Sequence, residues 1–226
     1  MSFLSRLRAL LSRPKTATRV GVRRPTSTDR ADAPREDALR AVLVEDPNNR
    51  EAFAALAEVV RRHASGVSPA DPLTAEQLPP DARRASDVAV WALAEELAGN
   101  PRAWYPLVEL ARLSLSDDHE GAMRRLHGAC EREHTGLALA EGVRVLREAD
   151  LPGEGAGLGV SHWAPRDHVP EAGRQVVLAA LEGDRPLEAR RHLNELAEAR
   201  ENDPAVTPVL TELEARVAAA VADYES

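Results

Sequence analysis

The sequence predicts an all-α fold arranged as a solenoid of helical hairpins, and three observations carry the prediction. The first is a repeat: helix-starting signals recur as Asn-Pro-Arg-Ala-Trp at 100–104, His-Thr-Gly-Leu at 134–137, Val-Pro-Glu-Ala at 169–172 and Asp-Pro-Ala-Val at 203–206. From Pro101 through Thr135 and Pro170 to Pro204 the steps are 34, 35 and 34 residues. A period near 34 with two helices per period is the pattern of a helix-turn-helix solenoid. The second is composition: 43% of residues are apolar but only 3% aromatic, and small apolar side chains favour closely packed helices over a sheet sandwich. The third is that no long alternating apolar/polar run reads as a strand.

The 226 residues suffice for one elongated domain or two small ones. Cys130 is the sole cysteine, which excludes an internal disulfide framework and fits a reducing compartment. No stretch of 18 apolar residues predicts a membrane-spanning helix, and Arg6 and Arg8 interrupt what a secretory signal would need as an apolar core. A cytoplasmic location is expected. Charge is unevenly placed. Residues 1–30 carry eight Lys or Arg against Asp29 alone, a net of +7; with −8 overall, residues 31–226 carry −15. So acidic a body argues against nucleic-acid binding, which needs clustered cations.

Taken in order, residues 1–13 place Phe3, Leu4, Leu7 and Leu11 on one helical stripe, with Arg8 beside it and Pro14 as a stop. Such a short basic amphipathic helix suits either the inner face of an anionic membrane or a partner surface, or else packs back on the body. Residues 14–34, bounded by Pro14, Pro25 and Pro34, have the composition of a disordered basic linker. The helical pattern begins at Arg35 with Ala38, Leu39, Val42 and Leu43, breaks at Asp46-Pro47-Asn48-Asn49, and resumes with Phe53, Leu56, Ala57 and Val60. Four prolines within 65–83 predict an irregular insertion. It accounts for the 54 residues between Pro47 and Pro101, one period plus about 20.

A helix over 85–98 carries Val88, Trp91, Ala92 and Leu97, and the next holds Trp104, Leu107, Leu110, Ala111 and Leu113. After the turn 116–118, Ala122, Leu126 and Ala129 mark its partner. A helix over 135–149 follows. Residues 151–169, with four glycines and two prolines and Pro170 just beyond, leave room for at most a short turn of helix. Helices over 172–182, 186–200 and 206–223 complete the chain, the last as a cap.

Two sets of these residues carry a resemblance. Phe53, Leu56, Ala57 and Val60, at their spacing from Pro47, and Ala122, Leu126 and Ala129, at +4 and +7, resemble the tetratricopeptide-repeat family over about residues 36–223. The turn between Ala111 and Ala122 is one residue shorter than the family's. The resemblance implies a right-handed solenoid of degenerate repeats whose first helices line a binding groove. By it, Tyr105, Val108 and Arg112, with Glu58 and Arg61 of the earlier repeat, are candidate groove residues, against the reading that they are ordinary helix surface.

A second candidate surface is read from residues alone. The two irregular segments occupy equivalent places in the alternation of helices, and loops on a regular scaffold often carry function. Within 151–169, His162, Trp163, Arg166, Asp167 and His168 cluster in seven residues. They suit either a lock that fixes the loop to the scaffold or a binding hot spot built on Trp and Arg. Catalysis by His162, Asp167 and His168 lacks a nucleophile or a phosphate loop beside them. His127, Cys130 and His134 share a helical face at +3 and +7, but no fourth zinc ligand accompanies them. The glycine run 153–159 has no strand before it, so it is no dinucleotide loop.

The sequence therefore predicts a non-enzymatic module that binds a protein or peptide partner by its groove or loop edge. No cofactor, metal or catalytic residue is expected. The rival readings are an enzyme or metal-binding protein using the 162–168 loop, and a self-assembling structural protein.

Overall fold

The computed structural model describes residues 27–65, 80–201, 203–204 and 206–226, with side chains from Asp32 onward. Among the described residues the protein is all-α, with ten helices and no strand. They are α1 (Ser27–Glu45), α2 (Arg50–Ser65), α3 (Pro80–Ala98), α4 (Tyr105–Ser114), α5 (His119–Arg132), α6 (Leu137–Glu148), α7 (Pro152–His162), α8 (Pro170–Glu182), α9 (Pro186–Ala199) and α10 (Thr207–Glu225). None of them is long and apolar enough to cross a membrane. The amphipathic stretch 1–13, with Phe3, Leu4, Leu7, Arg8 and Leu11, lies outside the described residues, as does most of the insertion at 65–83.

Each of the four periodic signals stands just ahead of a helix: Pro101 before α4, Thr135 before α6, Pro170 at the start of α8 and Pro204 before α10. One helix separates each from the next. Proline initiates rather than interrupts: it occupies the first or second position of α4, α7, α8, α9 and α10. At that point its missing N–H removes no intrahelical bond and its fixed φ is already helical.

Three boundaries depart from the sequence pattern, the smallest being α3, which begins at Pro80 within the insertion expected over 65–83. Helix α1 starts at Ser27, so the last residues of the expected linker are helical and Pro34 lies inside the helix. The larger departure is α7. Where glycines and prolines predict irregular chain, eleven residues form a helix begun by Pro152. Glycine costs about 0.5–1 kcal/mol in a helix relative to alanine, but here packing overrides propensity. A Cβ on Gly159 would lie 2.7 Å from Val176 of α8, and one on Gly155 would lie 3.4 Å from Val143 of α6 and from Ala179 of α8. The bare backbone at Gly159 lets α7 seat against α8, which a side chain there would push away, and Gly155 fits closely between α6 and α8.

The chain divides into two compact units, one ending at Ala122 and one beginning at Met123. In the first, α2 packs on α1 and α3, and α3 on α4. Phe53, Leu56, Ala57, Val59, Val90 and Ala94 are buried between them. The turn at Asp46–Asn49 does more than break a helix. The Asn48 side chain accepts hydrogen bonds from the Trp104 and Tyr105 N–H groups at 2.7 and 3.0 Å and donates to the Arg102 carbonyl at 2.9 Å. It thereby satisfies donors at the start of α4 that the helix cannot satisfy itself. Arg50 lies over the rings of Trp104 and Tyr105, 5.6 and 5.7 Å from their centres. Tyr105 also meets Phe53 edge-on at 5.5 Å.

In the second unit α7 packs on α6 and α8, α6 on α8, and α8 on α9 and α10. Leu126 of α5 and Leu139, Val143 and Leu146 of α6 are buried, and a Cβ on Gly142 of α6 would lie 3.4 Å from the Leu126 side chain. A further core of Val177, Leu178, Leu193, Leu196, Leu213 and Val217 joins α8, α9 and α10.

Candidate functional site

The second unit holds a cleft of about 430 Å³ lined by Cys130, Glu131, Glu133, His134, Leu139, Ser161, His162, Ala164, Asp167 and His168. It unites three pieces of chain: the end of α5 with the link to α6, the end of α7, and the turn 164–169. Most of the polar residues singled out in the sequence between 127 and 168 meet here.

The walls are fastened by short-range chemistry. Glu133 receives hydrogen bonds from the Thr135 N–H at 2.8 Å and the Ala138 N–H at 3.1 Å, so its carboxylate caps the start of α6 from outside. Burial would raise the Glu133 carboxyl, but these bonds and one from the Thr135 hydroxyl outweigh it and hold it below its ordinary range. Gly136 follows with φ +87°, a left-handed conformation that side chains resist. The His168 ring packs against it so closely that a Cβ on Gly136 would lie 2.7 Å from the His168 Cβ and Cγ. The Val169 N–H donates to the Thr135 carbonyl at 2.7 Å, and Arg200 donates to the His168 carbonyl at 2.5 Å. The turn is therefore a fixed wall, held on two sides.

Across the cleft mouth, His127 of α5 and His162 of α7 meet: Nδ1 of the first lies 2.8 Å from Nε2 of the second. Their ring centres are 5.0 Å apart at a tilt of 48°. Burial and the neighbouring His127 hold the His162 imidazole below its ordinary pKa, with Glu131 acting in the opposite sense. His168 is held down chiefly by burial, and Glu133 and Asp167 partly counter that. Both rings are thus kept neutral at neutral pH.

Cys130 is buried, and burial with the charges of Glu133 and Glu131 pushes its thiol up to about 12. A thiol so protonated is a poor nucleophile and a poor metal ligand. Among the described residues no three of His, Cys, Asp and Glu converge as a metal site requires. The shared helical face of His127, Cys130 and His134 is therefore split: Cys130 points inward while His127 bonds to α7.

The remaining residues of the 162–168 cluster divide by direction. Trp163 turns toward the core, meeting His192 edge-on at 5.3 Å, and a Cβ on Gly173 would lie 2.9 Å from its ring. It anchors the end of α7 to α8 and α9 rather than facing solvent. Arg166 is exposed and borders a second, shallower cleft of about 350 Å³ with Asp167, Glu195 and Glu198. His162, Asp167 and His168 line the first cleft.

The groove residues implied by the repeat resemblance are placed differently. Tyr105 and Val108 are buried, Val108 completely, because α4 turns them into the core beside Phe53; they offer no surface to a partner. Arg112 is half-buried and pairs with Glu109 at 3.6 Å. Glu58 and Arg61 are exposed and lie 3.8 Å apart on one face of α2. Missing from the sequence reading were Glu133 and Gly136, although a glycine next to a helix start is a recognisable signal. Comparison with protein-family models, curated proteins and solved structures found no match for this chain.

Proposed function

We propose that this protein is a non-enzymatic interaction module, a right-handed tetratricopeptide-like array of degenerate hairpins that binds a protein or peptide segment at the 130–168 cleft edge. The observation that carries this reading is the placement of the four periodic signals, each ahead of every second helix, with an intervening helix even where the sequence pattern is irregular. Helices α1 to α4, and again α6 to α10, each pack on their neighbours in sequence, the arrangement from which repeat arrays are built. At the cleft, a protonated thiol, neutral imidazoles and tied-down carboxylates supply hydrogen-bonding groups on a rigid frame and no activated nucleophile, which favours recognition over covalent chemistry. Asp167 stands exposed in its lining, with the exposed Arg166 beside it at the neighbouring shallow cleft, where a partner would read them. The basic segment 1–30 is assigned to partner or peripheral membrane contact on its charge and apolar stripe alone.

The test is a crosslinking pulldown from cells that express the protein, comparing the native chain with an R166E/D167K double variant. A discrete partner captured by the native chain and lost with the charge swap is the expected result. If the native chain captures no specific partner, the binding reading fails. If the swap captures the same partner equally well, the cleft edge is not the recognition surface.

A further inference from the structure

The His127–His162 contact joins α5 and α7 by a side-chain hydrogen bond. At 2.8 Å, only one proton fits between the two nitrogens. With one neutral ring donating to the other, or with a single extra proton on the pair, the bond is satisfied. With a proton on both facing nitrogens, two donors and two positive charges oppose each other and the contact cannot persist.

We propose that this pair is a proton-operated latch: it holds the C-terminal end of α7 against α5 while the two rings share at most one proton, and it releases that end when both rings are charged. The proposal does not depend on the binding function, since the latch acts in the protein alone.

The surrounding charges fit a device that responds to mild acid. On α5, Arg124 precedes His127 by one turn and Glu131 follows it by one turn. His127 and His168 oppose charge on His162, and Glu131 favours it. Glu133, His134 and Asp167 line the same cleft, and the Cys130 thiol stays neutral. The helices packed against α7 bring no further free charge. On α6, Arg144 pairs with Glu141 and Glu148, and Arg147 with Glu182. On α8, Glu171 bonds to Gln175, and Arg174 reaches Glu212 of α10. Double protonation is therefore set by the pair and by Glu131, whose charge favours a proton on His162 and so brings release to a higher pH.

The element that is released is built to respond. Four of the eleven residues of α7 are glycine, so its last turn has little intrinsic helix preference to fall back on once a side-chain tie is lost. Ser161 and His162 in that turn form one wall of the cleft. Release would therefore widen the cleft, while Trp163, packed beside His192, keeps the chain attached below it.

The experiment uses the full chain. Imidazole shifts are followed by NMR from pH 8 to 4.5, and amide exchange across Gly157–Trp163 is measured over the same range and corrected for intrinsic rate. In the native protein the facing pair takes up protons in two coupled steps, and in the second His162 titrates below the ordinary histidine value of about 6.5. Protection of the last turn of α7 falls at least tenfold through that second step. In H127Q, which keeps a polar group at a half-buried position, His162 titrates in one step nearer its ordinary value and protection no longer follows it. H168Q keeps the coupled titration and the loss of protection. Independent titration of the two histidines in the native chain would overturn the proposal. So would unchanged protection through the second step, or an H127Q variant that still loses protection at the same pH.

Discussion

Replacing Gly136 by alanine should destabilise the second unit by about 1.5–3.5 kcal/mol, worked from two costs. At φ +87° a residue with a Cβ gives up about 1–2 kcal/mol relative to its favoured conformations. The new methyl would also sit 2.7 Å from the His168 Cβ and Cγ, so the ring must move off its rotamer, adding about 0.5–1.5 kcal/mol. The turn is held behind that ring by Val169 and Arg200, which limits relaxation and places the sum toward the upper end. A matched control lies in α7. A Cβ on Gly157 meets nothing within 4 Å, so Gly157→Ala should stabilise by about 0.5–1 kcal/mol through helix propensity. Urea unfolding followed by circular dichroism measures both. Fluorescence serves as a second probe, because Trp163 is the one tryptophan beyond Ala122. The two variants must move the midpoint in opposite directions at unchanged slope. If G136A is neutral, or if both shift the same way, the packing of His168 on Gly136 does not hold the turn.

Other outcomes follow from the same structure. Asn48→Ala should cost about 1–3 kcal/mol, since it leaves the Trp104 and Tyr105 N–H groups and the Arg102 carbonyl without their partner; thermal unfolding of the variant measures this, and a loss below experimental error refutes the clasp. Stability should fall in two stages as pH drops, read from urea midpoints between pH 8 and 3. His162 and His168 resist protons that the unfolded chain accepts, so their contribution is complete above about 6.5 and is lost as pH falls toward their lower folded values. Glu182, held low by its hydrogen bonds from Arg147, and Glu133, held low by its hydrogen bonds despite burial, add a second decline below about 4.3. A curve flat from pH 7 to 5 contradicts the first stage. Cys130, with its thiol near 12, should react with a disulfide reagent at pH 8 at least 100-fold more slowly in the folded protein than in urea. Equal rates would place the thiol at the surface.

The all-α fold and its helix starts were legible because helix starts are local chemistry. Pro101, Thr135, Pro170 and Pro204 announce α4, α6, α8 and α10 through the few residues beside them. Small residues such as Ala111, Ala122 and Ala129, expected at close helix crossings, are completely buried. What escaped detection depends on partners distant in sequence. Gly155 and Gly159 read as breakers until Val143, Val176 and Ala179 are known to press on α7. Asn48 reads as a turn residue until the N–H groups 56 and 57 positions on find it. For the cleft, spacing located the 162–168 cluster, but not the direction of each side chain. Trp163 faces the core and Arg166 faces solvent although they lie one turn apart, and no periodicity within an irregular segment tells them apart.

The glycines of α7 fall into two classes with different evolutionary latitude. A Cβ on Gly159 would clash with Val176 and one on Gly155 would touch Val143 and Ala179, whereas Gly157 faces open space and Gly153 has only the tip of Arg185 within 4 Å. One side of the helix is frozen by the interior it fits, and the other is free to drift. Side chains could accumulate on that open side without disturbing the seat of the helix, so the same backbone could acquire a different outer face in a descendant protein while keeping its fold unchanged.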